Sequence, residues 1–182
     1  MATVNLKGGA KLEAALKRIA DKLDRPGTLR VGFLEDAQYP DGTNVAMVAA
    51  INNFGAPRAG IPPRPFFTNM VKAGRDAWGS DLGKIITAVD FDIDGALRLM
   101  GEHMVGQLQD SIRDTNAPEL SPVTKMLRQM YGDHVEITSY AQVAEARAKV
   151  ESGEQGASGT GAKPLIWTSH MLNSVGYEIS DK

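Results

Sequence analysis

The chain contains no cysteine. That excludes a disulfide scaffold, thiolate chemistry and cysteine-type zinc sites. It has only three histidines, His103, His134 and His170. His103 has no histidine or carboxylate four residues away on either side, so the two-histidine metalloprotease spacing is missing and exposed or satisfied histidines are expected. No apolar run approaches the roughly 20 residues of a membrane helix. Lys7 and Lys11 are not followed by the apolar stretch of a secretory leader, so secretion is not expected. Charge of one sign is lacking too. Twenty Lys and Arg face 22 Asp and Glu, for a formal net charge of −2. Such a chain is not built to grip nucleic acid by neutralising phosphates, although DNA could slide past it without sticking. There is no fixed-period repeat. What the chain does have is 182 residues, 42% of them apolar. That suits one domain, or one domain with an appendage, around a real core.

The pattern along the chain alternates helix and short strand. Lys7 to Leu23 reads as an amphipathic helix, with Leu12, Leu16, Ile19 and Leu23 at spacings of four, three and four, stopped by Pro26-Gly27. Thr28 to Leu34 alternates as a half-buried strand, with Leu29, Val31 and Phe33 on one side. Tyr39 to Gly42 is a turn by composition. Thr43 can then cap a helix to about Phe54 with a stripe of Val45, Val48, Ala49 and Asn52, and Gly55 fits the left-handed position beyond it. Thr68 or Asn69 caps the next helix, to about Thr87. A long helix from about Gly95 to Arg113 has the stripe Leu97, Met100, Met104, Leu108 and Ile112.

Ser121-Pro122 opens a short helix to about Met130. Ser139 to Gln142 has capping-box spacing and opens an Ala-rich helix to about Val150, with a thin face of Tyr140, Val143, Ala144, Arg147 and Val150. Ser152 to Ala162 carries Gly153, Gly156, Gly159 and Gly161 and no apolar side chain larger than Ala, so it reads as a mobile loop. Pro164 to Trp167 reads as a short strand, Thr168 to Asn173 as one or two helical turns, and Val175 to Ile179 as a last strand. The fold class expected is α+β: several helices packed on a small, mostly antiparallel sheet, with a flexible Gly-rich loop.

Candidate chemistry is sparse. Asp90 to Gly95 matches the first half of an EF-hand loop, but the twelfth position is Gly101 and Glu102 falls one residue late, a turn of about 100° on a helix. The acidic start of a helix explains the same residues. Gly156, Gly159 and Gly161 follow no apolar strand, and Lys163 precedes Pro164 rather than Ser or Thr, so they are not a phosphate loop. No Gly-x-Ser-x-Gly surrounds Ser169-His170. No catalytic, cofactor or metal constellation stands, and no enzyme is expected.

The most distinctive stretch runs from Asn52 to Phe67. Pro62, Pro63 and Pro65 cannot lie within a helix or a central strand, and each pushes the residue before it towards extended geometry. A stiff polyproline-like rod is expected, acting as an internal connector rather than as a ligand for another domain. It aims Arg64 and delivers Phe66 and Phe67 to a core. Arg64 is either a solvated charge or a fixed guanidinium paired with a carboxylate, inside the fold or on a neighbouring subunit.

Asn53-Phe54-Gly55 followed by Ile61-Pro62-Pro63-Arg64-Pro65-Phe66-Phe67 resembles the Glu-Phe-Gly … Ile-Pro-x-Arg-Pro-Phe signature of the neck or tail-completion (virion morphogenesis) proteins of tailed bacteriophages. Pro118 to Thr124 and Lys163 to Ser174 resemble further pieces of the same family, in the same order. Asn53 stands where the family usually has Glu, and Ser169 where it usually has Gly. The resemblance implies one domain over residues 1–182, with a helical and loop insertion at about 129–162. It implies a structural virion protein at the head–tail junction, made in the host cytoplasm. Copies would form a ring or collar between the portal-associated connector and the tail terminator or tail tube, with DNA passing through the lumen unbound and no membrane involved. Candidate interface or motif residues are Phe54, Gly55, Pro63, Arg64, Pro65, Phe66, Lys163, Pro164 and Thr168. An assembly chaperone left out of the particle, and an enzyme with an unrecognised site, stay open as other classes.

Overall fold

A computed structural model describes residues 9–24, 27–132, 137 and 139–180. The elements are α1 (Gly9–Leu23), β1 (Thr28–Phe33), α2 (Val45–Phe54), α3 (Phe66–Ala88), α4 (Ile93–Asp114), α5 (Pro122–Tyr131), α6 (Tyr140–Glu151), α7 (His170–Asn173) and β2 (Val175–Ser180), with single 3-10 turns at Pro57–Ala59 and Gly159–Ala162. The architecture is α+β, helices on a small antiparallel sheet. Lys7, Gly8, Pro26 and His134, about which the sequence made expectations, lie outside the described residues.

The antiparallel pair α3–α4 carries the fold. A tight turn joins the two helices, with Asp90 and Phe91 at φ 52° and 63°. Trp78 Nε1 donates to Gln107 Oε1 at 2.8 Å, and Ser111 Oγ to the Phe66 carbonyl at 2.6 Å, so the pair is stitched along its length. The strands pair in a register that puts like with like. Leu29 faces Ile179, Val31 faces Tyr177 and Phe33 faces Val175, while Arg30 opposes Glu178 and bonds it at 2.9 Å. This is what alternation in both strands predicts. Helix α4 packs against both strands. It does so closely because Gly101 lies under the Tyr177 ring, where a Cβ would come within 2.6 Å of a ring carbon.

Two apolar cores result. The larger joins α2, α3, α4, α7 and β2 through Val45, Ala49, Phe66, Met70, Leu108, Ile112, Leu165, Met171, Leu172 and Val175. The smaller lies between α5 and α6, around Met126, Leu127 and Ala146. It draws in α5, most of which precedes residue 129.

Several expectations are corrected. Asn44, not Thr43, caps α2, its side chain accepting from Met47 N at 3.0 Å. The buried stripe of α2 is Val45, Ala49 and Asn53. Helix α3 begins at Phe66, two residues before the expected cap, because Asn53 reaches across to its first free N–H groups. The buried face of α6 centres on Ala146 with Val143 and Val150, and Tyr140 points outward. The rod is shorter than expected. Ala56 and Ile61 exchange backbone bonds of 2.8 and 3.1 Å around the 3-10 turn, leaving only residues 62–65 as plain connector.

Residues 164–167 form no strand, and among the described residues the sheet has two strands. Pro164 has no N–H to give, and its carbonyl is taken by Arg128. The Gly-rich stretch is held at its middle, on α5. Ala157 N donates to the Lys125 carbonyl at 2.9 Å, and Gly156 lies where a Cβ would fall 2.3 Å from Met126 N. Its exposed tip is residues 152–155, between α6 and that contact.

Candidate functional site

The three stretches that carry the family resemblance are far apart in sequence, and the fold brings them to one joint. The first is fixed by Asn53, buried at the end of α2. Its Oδ1 accepts from Phe67 N at 3.0 Å and Thr68 N at 3.2 Å, and its Nδ2 donates to Thr68 Oγ1 at 3.0 Å. This satisfies the exposed amides at the start of α3, where an acceptor is favoured by the helix dipole. Gly55 at φ 77° then turns the chain back. A Cβ there would meet Pro63 N at 2.8 Å and the Ile61 carbonyl at 2.9 Å, so both the conformation and the space require glycine. Pro65 leads into α3, and Phe66 is wholly buried, edge-on to Phe33 at 6.2 Å.

Arg64 is only 5% exposed. It points into the protein and takes no carboxylate among the described residues. Its Nε donates to the Pro118 carbonyl at 2.9 Å and its Nη2 to the Glu119 carbonyl at 3.4 Å. The expected carboxylate is replaced by two backbone acceptors of the second stretch, reached within the same chain. The Glu119 side chain is turned to Lys125 Nζ at 2.8 Å, which holds its carboxyl below the usual range.

A second arginine completes the joint, and little in the residue pattern announces it. Arg128 of α5 donates through Nη1 to the carbonyls of Gly161 at 3.0 Å and Lys163 at 2.7 Å, and through Nη2 to that of Pro164 at 3.2 Å. Its guanidinium lies 4.9 Å from the centre of the Trp167 ring, a cation–π distance. Burial pushes Arg128 down to about 10, and the Arg64 charge adds to that; burial also lowers Arg64. The one legible sign was an arginine directly beside Met126 and Leu127, on the face a short amphipathic helix must bury.

Lys163 Nζ reaches the Arg113 carbonyl at 3.3 Å, so the third stretch is also tied to the end of α4. Thr168 is exposed, its hydroxyl accepting from His170 N at 3.3 Å. Ser169 takes the left-handed conformation at φ 56°. His170 stacks on Tyr39 with ring centres 4.6 Å apart and bonds the Gln38 carbonyl through Nε2 at 2.8 Å. Two candidates lie away from the joint: Phe54 is 74% exposed and Pro63 is also on the surface.

Chemically this joint is a brace. Both guanidiniums donate to backbone carbonyls, with Arg128 Nε buried and unpartnered among the described residues, and no described nucleophile stands beside a base in it. An open cleft of about 680 Å3 lies alongside, between α3, α4 and residues 114–117. Among the described residues no three His, Asp or Glu groups could hold a metal ion, and Asp90 of the half EF-hand motif is engaged by Lys22. No described helix is long and apolar enough to cross a membrane. The fold and the joint thus define an α+β protein braced by one buried and one half-buried arginine. Compared with protein-family models, with curated proteins and with solved structures, the chain matches none.

Proposed function

We propose that the chain is a structural virion protein of a tailed phage. It would act at the head–tail junction as a ring or collar of copies between the connector and the tail terminator or tail tube, with DNA passing through the lumen. The observation that carries this reading is the convergence of the three resembling stretches on one joint. Arg64 of the first holds Pro118 and Glu119 of the second, Phe66 of the first shares the main core with Leu165, Met171 and Leu172 of the third, and Arg128, four residues beyond the second, holds Lys163 and Pro164. Both departures from the family pattern fall where the local geometry accommodates them. Asn53 supplies the acceptor at the start of α3 that a Glu would supply. Ser169 adopts the left-handed backbone that a Gly takes without strain. A net charge of −2 suits a lumen that must release phosphates.

The role is mechanical and asks for no catalytic group. Phage lacking this protein is expected to yield filled or leaking heads and separate tails, with few joined particles, in electron micrographs of the lysate. Normal, joined and infectious particles would overturn the reading.

A further inference from the structure

Two apolar helix faces, on α1 and on α2, are left uncovered among the described residues. Helix α1 has no buried residue. Its stripe stands in solvent, with Leu12 62% and Leu16 57% exposed. Among the described residues its side-chain tie to the body is Lys22, which donates to the Asp90 carboxylate at 2.8 Å and to the Asp90 carbonyl at 2.6 Å. The second face belongs to α2. That helix has no charged residue and opens with seven consecutive apolar ones, Val45 to Ile51. A helix apolar all round is a helix buried all round. Yet α2 buries only the Val45–Ala49–Asn53 side, while Met47 and Phe54 on the other are 53% and 74% exposed, with Ala50 exposed between them.

Both faces stand exposed, so neither covers the other in the folded chain. Lys22 of α1 is tied to Asp90 beyond the end of α3, one α3 length of 23 residues or roughly 34 Å from the Asn53–Phe67 contact that holds the end of α2. Their charges are complementary. Helix α1 carries Lys11, Lys17, Arg18 and Lys22 against Glu13 and Asp21. Residues 30–58, which include α2, carry the exposed acids Glu35, Asp36 and Asp41 against Arg30 and Arg58, a net −1 where α1 has a net +2. Two different faces of opposite net charge make a head-to-tail contact, which closes a ring if the rotation per copy allows it and otherwise extends.

We infer that the occupant of the Met47–Ala50–Phe54 face is helix α1 of a second copy of this chain, seated by its Leu12–Leu16–Ile19 stripe, and that this contact is the repeating joint of the assembly. The inference rests on the junction reading for the ring's place in the particle, but the contact is testable in purified protein.

The absence of native cysteine makes cross-linking unambiguous. Leu16→Cys and Phe54→Cys, prepared separately and mixed under mild oxidation, are expected to give a disulfide dimer several-fold more abundant than either variant gives alone. The double variant is expected to give a ladder of multimers on a non-reducing gel. Both positions are exposed and both substitutions are neutral, so folding is retained. A second measurement uses charge. Leu12→Asp with Leu16→Asp, and Met47→Asp with Phe54→Asp, should each convert the oligomer to monomer in light scattering, and their mixture should recover dimers that grow no further.

Equal cross-linking in the unmixed variants, an intrachain disulfide in the double variant, no cross-link at all, or wild-type oligomers from either charge variant would each overturn the contact. If the contact fails while phage lacking the protein leaves heads and tails apart, the junction reading stands alone. If the ladder forms but such phage is joined and infectious, the contact stands and the junction falls.

Discussion

The body of the molecule and the α5–α6 unit are held by different forces. In the body, Val45, Phe66, Leu108 and Ile112 are wholly buried in one continuous cluster that spans α2, α3, α4, α7 and β2. The α5–α6 unit has a small core of its own, Met126, Leu127 and Ala146, closed at its edge by Tyr131, whose hydroxyl reaches Glu145 at 3.2 Å. Among the described residues the two cores share no buried cluster. The joint is polar, with Arg64 reaching out of the body to residues 118 and 119, and Arg128 reaching back to residues 161–164. Apolar packing is non-directional and tolerates sliding, whereas a planar guanidinium fixes angle and distance at once. The body therefore supplies stability, and the arginine joint sets the placement of a unit that apolar contact alone would leave loosely oriented.

Breaking the body should have the largest effect. Phe66→Ala removes a wholly buried ring and is expected to cost about 3–5 kcal/mol, read as a fall in the unfolding midpoint of the whole protein. A loss below about 1 kcal/mol would mean that the body is not one cooperative core. Met126→Ala should cost about 2–5 kcal/mol, with the damage confined to α5 and α6. Hydrogen exchange should then accelerate in residues 122–131 and 140–151 while α3 and α4 stay protected. Equal acceleration everywhere would merge the two regions into one unit.

The joint comes next. Arg64→Ala and Arg128→Ala each remove hydrogen bonds from a charged donor, worth about 1.5–3 kcal/mol apiece. Arg64→Ala should lower the monomer's own melting temperature, since its acceptors belong to the same chain. Arg128→Lys should not rescue Arg128, because an ammonium cannot serve three carbonyls and stack on Trp167 together. Its readout is a shift in Trp167 fluorescence in a Trp78→Phe background.

In the Gly-rich stretch, a Glu-specific protease should cut after Glu154 in the exposed tip before it cuts after Glu145, which lies within α6. The reverse order would place the tip in a packed environment. The smallest effect is expected from the Lys22–Asp90 tie, which is solvent-exposed. Lys22 lowers the Asp90 carboxyl, so whatever stability the pair gives is present above the ordinary value of 3.8 and is lost as pH falls through the lower folded value. Asp90→Asn, which keeps a residue tolerant of the left-handed backbone, should leave the melting temperature at neutral pH unchanged.

Some local features were legible. Of the expected stripe Leu97, Met100, Met104, Leu108 and Ile112, all but Met104 are buried, and Ser139 and Gln142 make both bonds of the capping box. The single turn at His170–Asn173 and the spans of the two strands were also readable. The short apolar run Leu165 to Trp167 was not, because a run of that length fits a strand or a core-filling loop equally well. Leu165 enters the main core and Trp167 lies under Arg128. Asn53 was assigned to no role, since a side chain that caps another helix leaves no mark on its own.

What the sequence alone determined are the matters settled within about four residues: helical and strand periods, the caps Ser121 and Ser139, the glycine turn at Gly55, and the exclusion of thiolate chemistry. Only the tertiary structure decided that Arg64 is buried, that its acceptors are the carbonyls of Pro118 and Glu119, and that Arg128 shares the joint. It alone decided which apolar faces, those of α1 and α2, the fold leaves uncovered. The reason is one of range. Periodicity and capping are bonds between near neighbours, whereas the partner of a guanidinium 54 residues away depends on the path of the whole chain between them.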